Sequence, residues 1–263
     1  MLSYQHIYHA GNLADVHKHS MLAWALAYMT RKDKPLSYLE THAGRGLYDL
    51  RDEAALKTGE AAMGIALAQD WFAADHPYAQ VLTRIRAKHG GDAYPGSPLI
   101  AAESLRPVDT IHLSELHPQE FAALKDNMAP YGGIFRQKDG WDMAMSLCPP
   151  DPRRGLLLID PSFEVKADYQ TIPATIAKLH RKWGVGVIML WYPILTDAPH
   201  KPMIRDLQTA IPDALTHEVS FPPARPGHRM VGSGLFVLNA PYGFAQEGAR
   251  LTALFQDRLS HLM

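Results

Sequence analysis

Short apolar runs and helix-like periodic segments alternate along most of this chain. Several stretches of about four to eight residues are apolar throughout or alternate apolar and polar positions, as β-strands do. They are residues 36–41, 110–115, 133–138, 155–159, 186–193, 217–221 and 234–239. Apolar residues recur at helical spacing over 13–31, 118–128, 169–183 and 203–211. Strands that alternate with helices predict an α/β fold built on a mostly parallel sheet.

The segment from residue 47 to residue 93 does not continue the alternation of strands and helices. It contains an alanine-rich run over 60–72 and a second helix-like run over 79–88. We therefore predict a main domain formed by residues 1–46 and 94–263, with residues 47–93 as an inserted helical subdomain. After the insertion, Ser97 is expected to cap a short helix over 99–104, with Pro98 at its first position.

The composition limits which cellular compartment and which kinds of binding partner are expected. The formal net charge is −1, so a surface for a polyanion must be a local basic patch. No apolar run approaches the length of a membrane span, and the first twenty residues carry four histidines where a signal peptide has its apolar core. The single Cys148 cannot form an internal disulfide, which fits a reducing compartment. We expect a cytoplasmic protein that acts as a monomer.

The strand over 155–159 ends abruptly on Asp160-Pro161-Ser162-Phe163. Proline lacks the N–H that a strand ladder needs, so the Asp160 carboxylate is expected at the carboxyl edge of the sheet, where open α/β sheets bind ligands. These residues offer a carboxylate, a carbonyl on a stiff turn and an aromatic face. A nucleobase amine needs two acceptors for its hydrogens and a ring on which its base can stack. An ordinary strand end with a turn is the alternative interpretation.

Three further acids close predicted strands. Glu40 precedes the Gly44-x-Gly loop, where small residues let a nucleoside approach the backbone. Glu115 ends the next strand and is the candidate for gripping ribose hydroxyls. Asp139 follows the third strand and precedes Gly140, the usual place for an acid that holds an adenine amino group. A plain turn aspartate before a glycine is the alternative for Asp139.

The first twenty residues are rich in histidine, which would suit a metal ion. Asn12 with Asp15 is typical of a helix N-cap, so His17 and His19 are expected on a helix. Residues two positions apart on a helix point in different directions, which argues against one shared ion. Contacts of this N-terminal arm with a nucleotide or cofactor are the competing interpretation.

A loop rich in proline and glycine over 222–230 carries Arg225, His228 and Arg229. Because it is expected to flank the ligand-binding edge, Arg225 and Arg229 are candidates for phosphate contacts. The alternative is a solvated surface loop.

Asp160-Pro-Ser-Phe resembles the (Asp/Asn/Ser)-Pro-Pro-(Tyr/Phe/Trp) motif of amino-methyltransferases that use S-adenosylmethionine. It departs from that motif at Ser162, where proline is expected, and Phe163 stands where tyrosine is commonest. Phenylalanine keeps the stacking face.

The chain as a whole is similar to one family. Quoted in order, the runs that carry the likeness are Met-Leu-Ser-Tyr4, Thr41-His-Ala-Gly44, Tyr94-Pro-Gly-Ser97-Pro, Ser114-Glu-Leu-His-Pro and Leu190-Trp-Tyr-Pro. They resemble the ribosomal large-subunit RNA adenine-N6-methyltransferases, some of which are named for catabolism of external DNA. The resemblance implies a Rossmann-like, seven-stranded S-adenosylmethionine-dependent methyltransferase fold with a small helical insertion. It implies methylation of one adenine of 23S ribosomal RNA, without a metal.

The resemblance also implies roles for individual residues. S-adenosylmethionine contacts are expected at His19, His42, Gly44, Ser97, Glu115, Asp139 and Gly140. The catalytic set is Asp160, Pro161 and Phe163, and the substrate-binding set is Tyr4, Lys18, Arg225 and Arg229.

Three other functions stay open at this point. One is adenine-N6 methylation of DNA. Another is a non-catalytic nucleic-acid-binding protein, linked to the use of external DNA, that lost turnover through Ser162. The third is a metal-dependent nuclease or hydrolase that uses the N-terminal histidines, although the sequence shows no acid-rich metal constellation.

Overall fold

The computed structural model describes residues 5–260 and contains a seven-stranded sheet of order β5-β4-β1-β6-β7-β9-β8. The strands are β1 (Ser37–Glu40), β4 (Thr110–Ser114), β5 (Ile134–Arg136), β6 (Gly155–Ile159), β7 (Val187–Leu195), β8 (Leu215–Ser220) and β9 (Met230–Leu238). All are parallel except β9, which runs antiparallel to β7 and β8. The order is that of a Rossmann-like sheet with one antiparallel strand inserted near its edge, so the predicted fold class is confirmed.

Helices cover both faces of the sheet. They are α1 (Leu13–Met29), α2 (Glu53–Thr58), α3 (Ile65–Ala68), α4 (Pro77–His89), α5 (Ser97–Ser104), α6 (Pro118–Met128), α7 (Gly140–Leu147), α8 (Asp168–Lys182), α9 (His200–Ala210) and α10 (Phe244–Leu259). The period of two along β6 divides the core between the faces. Leu156 and Leu158 pack in the cluster with α1, α5 and α10, whereas Leu157 and Ile159 pack with α7, α8 and α9. As the continuous apolar run predicted, β6 is buried on both faces.

Helix α1 begins as its sequence indicates and is buried on nearly every side. The Asn12 side chain accepts a hydrogen bond from Asp15 N, which caps the helix. The helix packs against α4, α5 and α10. It therefore also buries charged and polar side chains, among them Asp15, His17 and Lys18. Burial of such groups requires partners, and those partners lie at the site described below.

The segment predicted as a helical insertion contains a β-ribbon as well. Strand β2 (Leu47–Asp49) pairs antiparallel with β3 (Ala93–Pro95) and encloses α2, α3 and α4. The predicted continuous helix over 60–72 is wrong, because only α3 forms there. Gly64 interrupts it and lies against the N-terminal segment, where a Cβ atom would be 2.0 Å from Gly11 O. Such a close approach tolerates no side chain.

Several other elements differ from expectation. The cap of α5 is Gly96, not Ser97, which lies in the first turn. The sequence patterns did not predict α2, α7 or α10. None of the helices within residues 5–260 is long and apolar enough to cross a membrane.

Candidate active site

A large cleft of about 820 Å³ opens at the carboxyl ends of β1, β4, β6 and β7. The strand order reverses between β1 and β6, which is the switch point where doubly wound sheets bind ligands. The cleft is lined by each predicted site residue that the structure describes: Lys18, His19, His42, Gly44, Ser97, Glu115, Asp139, Gly140, Asp160, Pro161, Phe163, Arg225 and Arg229. Tyr4 lies outside the described residues.

Glu115 occupies the end of β4, where its carboxylate is held by the backbone. It accepts hydrogen bonds from Gly44 N at 2.8 Å and His117 N at 2.7 Å. Burial nevertheless raises the pKa of Glu115 above its ordinary value. Gly44 has φ 60°, and a Cβ atom there would lie 2.5 Å from Tyr48 Oη. The loop thus needs glycine at this position, and the carboxylate is fixed while still lining the cleft.

Asp139 and Gly140 form the start of α7 beside the end of β1. The Asp139 side chain caps this helix by accepting from Asp142 N at 3.0 Å. A Cβ atom at Gly140 would lie 2.1 Å from Thr41 O, so only glycine allows this approach. The plain-turn alternative for Asp139 is therefore half right, because the residue makes an N-cap and also lines the cleft.

Glu40, the acid that ends β1, is completely buried. Ser97 Oγ donates to its Oε1 at 2.5 Å, and Tyr38 Oη donates to its Oε2 at 2.8 Å. Burial raises the pKa of Glu40 to about 8, against the effect of these two hydrogen bonds. Glu40 therefore fixes Ser97, whose hydroxyl proton is already engaged.

The two predicted histidines, buried His19 and half-buried His42, are neutral rings. His19 Nδ1 lies 2.8 Å from Tyr94 Oη, and burial lowers the pKa of His19 to about 3. His42 Nδ1 pairs with Thr41 Oγ1 at 2.7 Å, and burial also lowers the His42 pKa. Both rings line the cleft. They can offer hydrogen bonds there but carry no charge at neutral pH.

Lys18 links α1 to the strand end that carries Asp160. Its ammonium group donates to Asp160 Oδ2 at 2.6 Å and lies 3.1 Å from Asp15 Oδ1. Burial by itself lowers the Lys18 pKa, but the two carboxylates outweigh it and raise the pKa above its ordinary value. Burial also opposes ionisation of Asp15, yet His6, Lys18 and His19 hold its pKa well below the usual range. A buried cation thus lies between two carboxylates at the centre of the cleft.

Phe163 is fixed by its backbone and by two rings. Its φ of 55° lies in the left-handed region, which is uncommon for a residue with a bulky side chain. The ring centroid is 4.8 Å from that of Tyr169 and 6.1 Å from that of Trp191. The preceding Ser162 Oγ accepts a long bond of 3.4 Å from Glu164 N. The aromatic residue of the Asp-Pro-Ser-Phe run therefore lines the same cleft as Asp160.

The loop between β8 and β9 brings two arginines to the rim of the cleft. Arg229 pairs with Asp197 at 2.5 Å, and both side chains are more than half exposed. Arg225 donates to Thr58 O at 3.3 Å and lies 3.9 Å from Glu60 Oε1. The loop is therefore tied to the inserted segment, while both guanidinium groups remain accessible.

Residues that sequence reasoning missed complete the cleft. Trp191 lines it from the middle of β7, and Asp15 lines it from α1. Trp191 belongs to the Leu190-Trp-Tyr-Pro run, which was a signal of family likeness without a role. Asp15 was interpreted only as part of a helix cap, and nothing local in the sequence indicates its contact with Lys18.

The four histidines of the N-terminal segment do not share one set of partners. His6 and His19 both approach Asp15, at 2.8 Å and 3.7 Å, whereas His9 lies 3.0 Å from Glu60. His17 pairs with Ser233 and His217, whereas His19 pairs with Tyr94. Among the residues that the structure describes, no group of three or more histidine, cysteine, aspartate or glutamate side chains is placed to hold a metal ion.

The sheet order and the acid-lined cleft at its switch point define a Rossmann-like methyltransferase fold. Residues 33–262 match the family described as ribosomal RNA large subunit methyltransferase D, RlmJ, and the chain belongs to that family. The resemblance drawn from the motifs is thereby confirmed.

Individual relatives agree with this assignment. The chain is 39% identical over 254 residues to ribosomal RNA large subunit methyltransferase J of Escherichia coli (strain K12), covering 94% of this chain and 90% of that protein. It is 36% identical over 252 residues to the protein of the same name from Haemophilus influenzae, covering 92% and 88%. The crystal structure of protein LPL1258 from Legionella pneumophila superposes with a TM-score of 0.87 at 35% identity, covering 95% of this chain and 94% of that one.

Proposed function

We propose that this protein transfers a methyl group from S-adenosylmethionine to the exocyclic N6 of one adenine in 23S ribosomal RNA. The observation that carries the proposal is the shared cleft, which is lined both by the Asp160-Pro-Ser-Phe turn and by the strand-end acids Glu115 and Asp139. The names of the two curated relatives support ribosomal RNA as the substrate. We also propose that the protein acts as a monomer and without a metal.

The donor set of one half of the cleft fits S-adenosylmethionine. Glu115 is a half-buried carboxylate whose pKa is raised by desolvation, so hydroxyl donors from a ribose would offset that desolvation. Asp139 has an acceptor for an adenine amino group. His19, His42 and Ser97, with the glycine backbone at Gly44 and Gly140, would hold the remaining polar groups of the cofactor. When bound, the cofactor supplies an activated methyl group on a sulfonium.

The other half of the cleft fits the target adenine. The base would be turned out of its stack and placed against Phe163. Asp160 and the Pro161 carbonyl would accept the two amine hydrogens, which directs the nitrogen lone pair toward the methyl carbon. Lys18 holds Asp160 Oδ2 and so orients this carboxylate before the substrate arrives. Much of the acceleration would come from placement, which can contribute roughly 7–11 kcal/mol.

The RNA backbone would be held at the rim. Arg225 and Arg229 both line the cleft and would contact phosphates there, with Arg225 beside the inserted segment. Tyr4 remains a predicted substrate contact.

The proposal is tested by incubating the protein with isotope-labelled S-adenosylmethionine and 23S ribosomal RNA that lacks the modification. Nuclease digestion and mass spectrometry should find label in N6-methyladenosine at one site. Parallel reactions with adenine-containing DNA separate RNA from DNA methylation, and a chelator arm tests the expectation that no metal is needed.

Asp160→Asn should lower the transfer rate by about 10²–10³-fold, because its interaction strengthens as charge develops on the nitrogen. Its affinity for S-adenosylmethionine should be unchanged. Asp151→Asn is a matched control, since Asp151 also precedes a proline but is exposed and does not line the cleft. A folded wild-type protein that binds the cofactor and labels no adenine of the RNA would overturn the proposal.

A further inference from the structure

A hydrogen-bond chain runs behind the cleft on the α1 face of the sheet, with His17 and Ser233 buried and its other members half-buried. Trp191 Nε1 donates to Ser233 Oγ at 2.9 Å, and Ser233 Oγ lies 2.8 Å from His17 Nδ1. His17 Nε2 lies 2.9 Å from His217 Nδ1, and His217 Nε2 lies 2.9 Å from Thr252 Oγ1. The chain joins one residue each from β7, β9, α1, β8 and α10.

The strand register explains why these side chains meet. Leu235 of β9 is paired with Trp191 on one side and with His217 on the other. Residues directly opposite each other project from the same face, and Ser233, two positions from Leu235, projects from that face as well. Helix α1 crosses this face and supplies His17 from above.

The hydrogen bonds have one consistent direction. An indole N–H can only donate, so it occupies a lone pair of Ser233 Oγ. The serine proton is then free to donate to His17 Nδ1, the His17 Nε2–H to His217 Nδ1, and the His217 Nε2–H to Thr252. In this arrangement each group donates once and both histidines are neutral. Burial lowers the pKa of both rings, which agrees with neutral histidines.

At its other end the chain reaches the site through the Trp191 indole. Lys18 Nζ lies 5.4 Å from the indole ring centroid, within the range of a cation–π contact. The Phe163 ring lies edge-on at 6.1 Å. The same indole therefore contacts both the cation that holds Asp160 and the aromatic face proposed for the adenine. Its single polar atom is fixed by Ser233.

We infer that Ser233, backed by His17 and His217, is a positioning residue that fixes the Trp191 indole as a wall of the target-adenine pocket. The inference deepens the proposed function and rests on it. A purely apolar contact could fill the space behind Trp191, but it would not set the rotation of the ring. A fully satisfied polar network holds its members in one arrangement, and its burial is otherwise unfavourable.

The test is a double-mutant cycle on methyl transfer to 23S ribosomal RNA. Ser233→Ala should lower kcat by about tenfold, the effect of leaving one buried N–H without its acceptor. The affinity for S-adenosylmethionine should not change. In a Trp191→Phe background, Ser233→Ala should cause no further loss, because phenylalanine has no N–H to orient.

His217→Phe provides a second variant that keeps a ring in place but breaks the chain. Its loss of kcat should be smaller than that of Ser233→Ala and should also vanish in the Trp191→Phe background. Ser37→Ala is the matched control, because Ser37 is equally buried in the sheet but lies at the amino end of β1 and donates to Pro152 O. It should leave kcat unchanged.

A measurement that does not depend on turnover separates the positioning role of Ser233 from the proposed methyl-transfer function. With 5-fluorotryptophan incorporated, the ¹⁹F resonance that disappears in Trp191→Phe should shift in Ser233→Ala and stay in place in Ser37→Ala. Equal losses of kcat in both backgrounds, or an unshifted resonance, would overturn the positioning role. If the wild-type protein is inactive but the Trp191 resonance still shifts in Ser233→Ala, the result contradicts the proposed function and not the positioning of Trp191.

Discussion

The two halves of the cleft hold their charged groups in different ways. In the half proposed for the cofactor, acids at strand ends are held by backbone N–H groups. Glu115 accepts from Gly44 and His117, and Asp139 accepts from Asp142. Backbone donors are set by the fold itself, so these carboxylates need no ligand to fix their geometry.

In the half proposed for the target base, charges are held by other side chains from distant parts of the chain. Lys18 of α1 pairs with Asp160 beyond β6, and Arg229 pairs with Asp197. Ion pairs can exchange partners, whereas a backbone cradle cannot. If the proposed function is correct, the cofactor half is formed in advance, and we expect the ion pairs of the target half to rearrange when RNA binds.

The largest effect should come from breaking the buried ion cluster. Lys18→Met leaves Asp15 and Asp160 without their shared cation, and removal of one partner from a buried pair typically costs about 3–5 kcal/mol. We expect a loss of that order in the free energy of unfolding, measured by urea denaturation. Lys57→Met, at an exposed lysine of α2, serves as the control. Equal stability of Lys18→Met and wild type would show that the cluster is solvated and that the two halves do not differ.

The same contrast separates what the sequence could predict from what it could not. Strand ends are local signals, so Asp160 and Glu115 were found from the apolar runs that precede them. Lys18 lies between Asp15 and Asp160. It is 142 residues from Asp160 in the sequence, and no local pattern predicts that contact. The resemblance to the family placed Lys18 near the substrate, but its partners came only from the structure.

The predicted fold class is confirmed, but some local elements were wrong for related reasons. The expected helix over 60–72 is reduced to α3, which begins after Gly64, where the close approach of the N-terminal segment is a tertiary contact. Ser97 looked like a cap because serine favours that position, but its hydroxyl instead donates to Glu40. Helix α10 follows the last predicted strand and was not considered, although Phe244, Leu251 and Phe255 form its buried stripe.

Glu115→Ala tests the half that is formed in advance. Removing the carboxylate deprives ribose hydroxyls of their acceptor and leaves Gly44 N unpaired, so S-adenosylmethionine binding should weaken by about 1–3 kcal/mol in calorimetry. Glu103→Ala on α5, outside the cleft, should bind normally. Unchanged affinity in folded Glu115→Ala would remove Glu115 from the cofactor site.

Glu40→Gln tests whether the buried Glu40, beside the proposed cofactor half, is protonated in the folded protein at neutral pH. The pKa of Glu40 is about 8 in the folded protein and near 4.5 when exposed, so between these values the folded chain holds a proton that the unfolded chain has lost. Its contribution to stability is therefore complete at low pH and is lost as the pH rises from about 4.5 to about 8, by at most roughly 1.4 kcal/mol per pH unit.

Urea denaturation at several pH values gives the free energy of unfolding of wild type and of Glu40→Gln. The contribution of Glu40 is the difference between the slopes of these two free energies against pH. The variant should lose less stability than the wild type as the pH rises through that window. Parallel stability curves would show that Glu40 is ionised in the folded protein despite its burial.

The smallest effect is expected at the rim, where the charges are already solvated. Arg225→Ala with Arg229→Ala should weaken RNA binding only a few-fold near physiological salt, because exposed cations act mainly through released counterions. The sharper measure is the slope of log affinity against log salt, which should become shallower by about 1.4–1.8 if both residues contact phosphates. S-adenosylmethionine affinity should be unchanged, since the cofactor half does not involve this loop. Arg205→Ala with Arg258→Ala removes two exposed arginines that do not line the cleft, and it should leave the slope as it was. If the rim variant and this control give the same slope as wild type, the loop is solvated surface, and the exchange of ion partners on RNA binding is confined to Lys18 and Asp160.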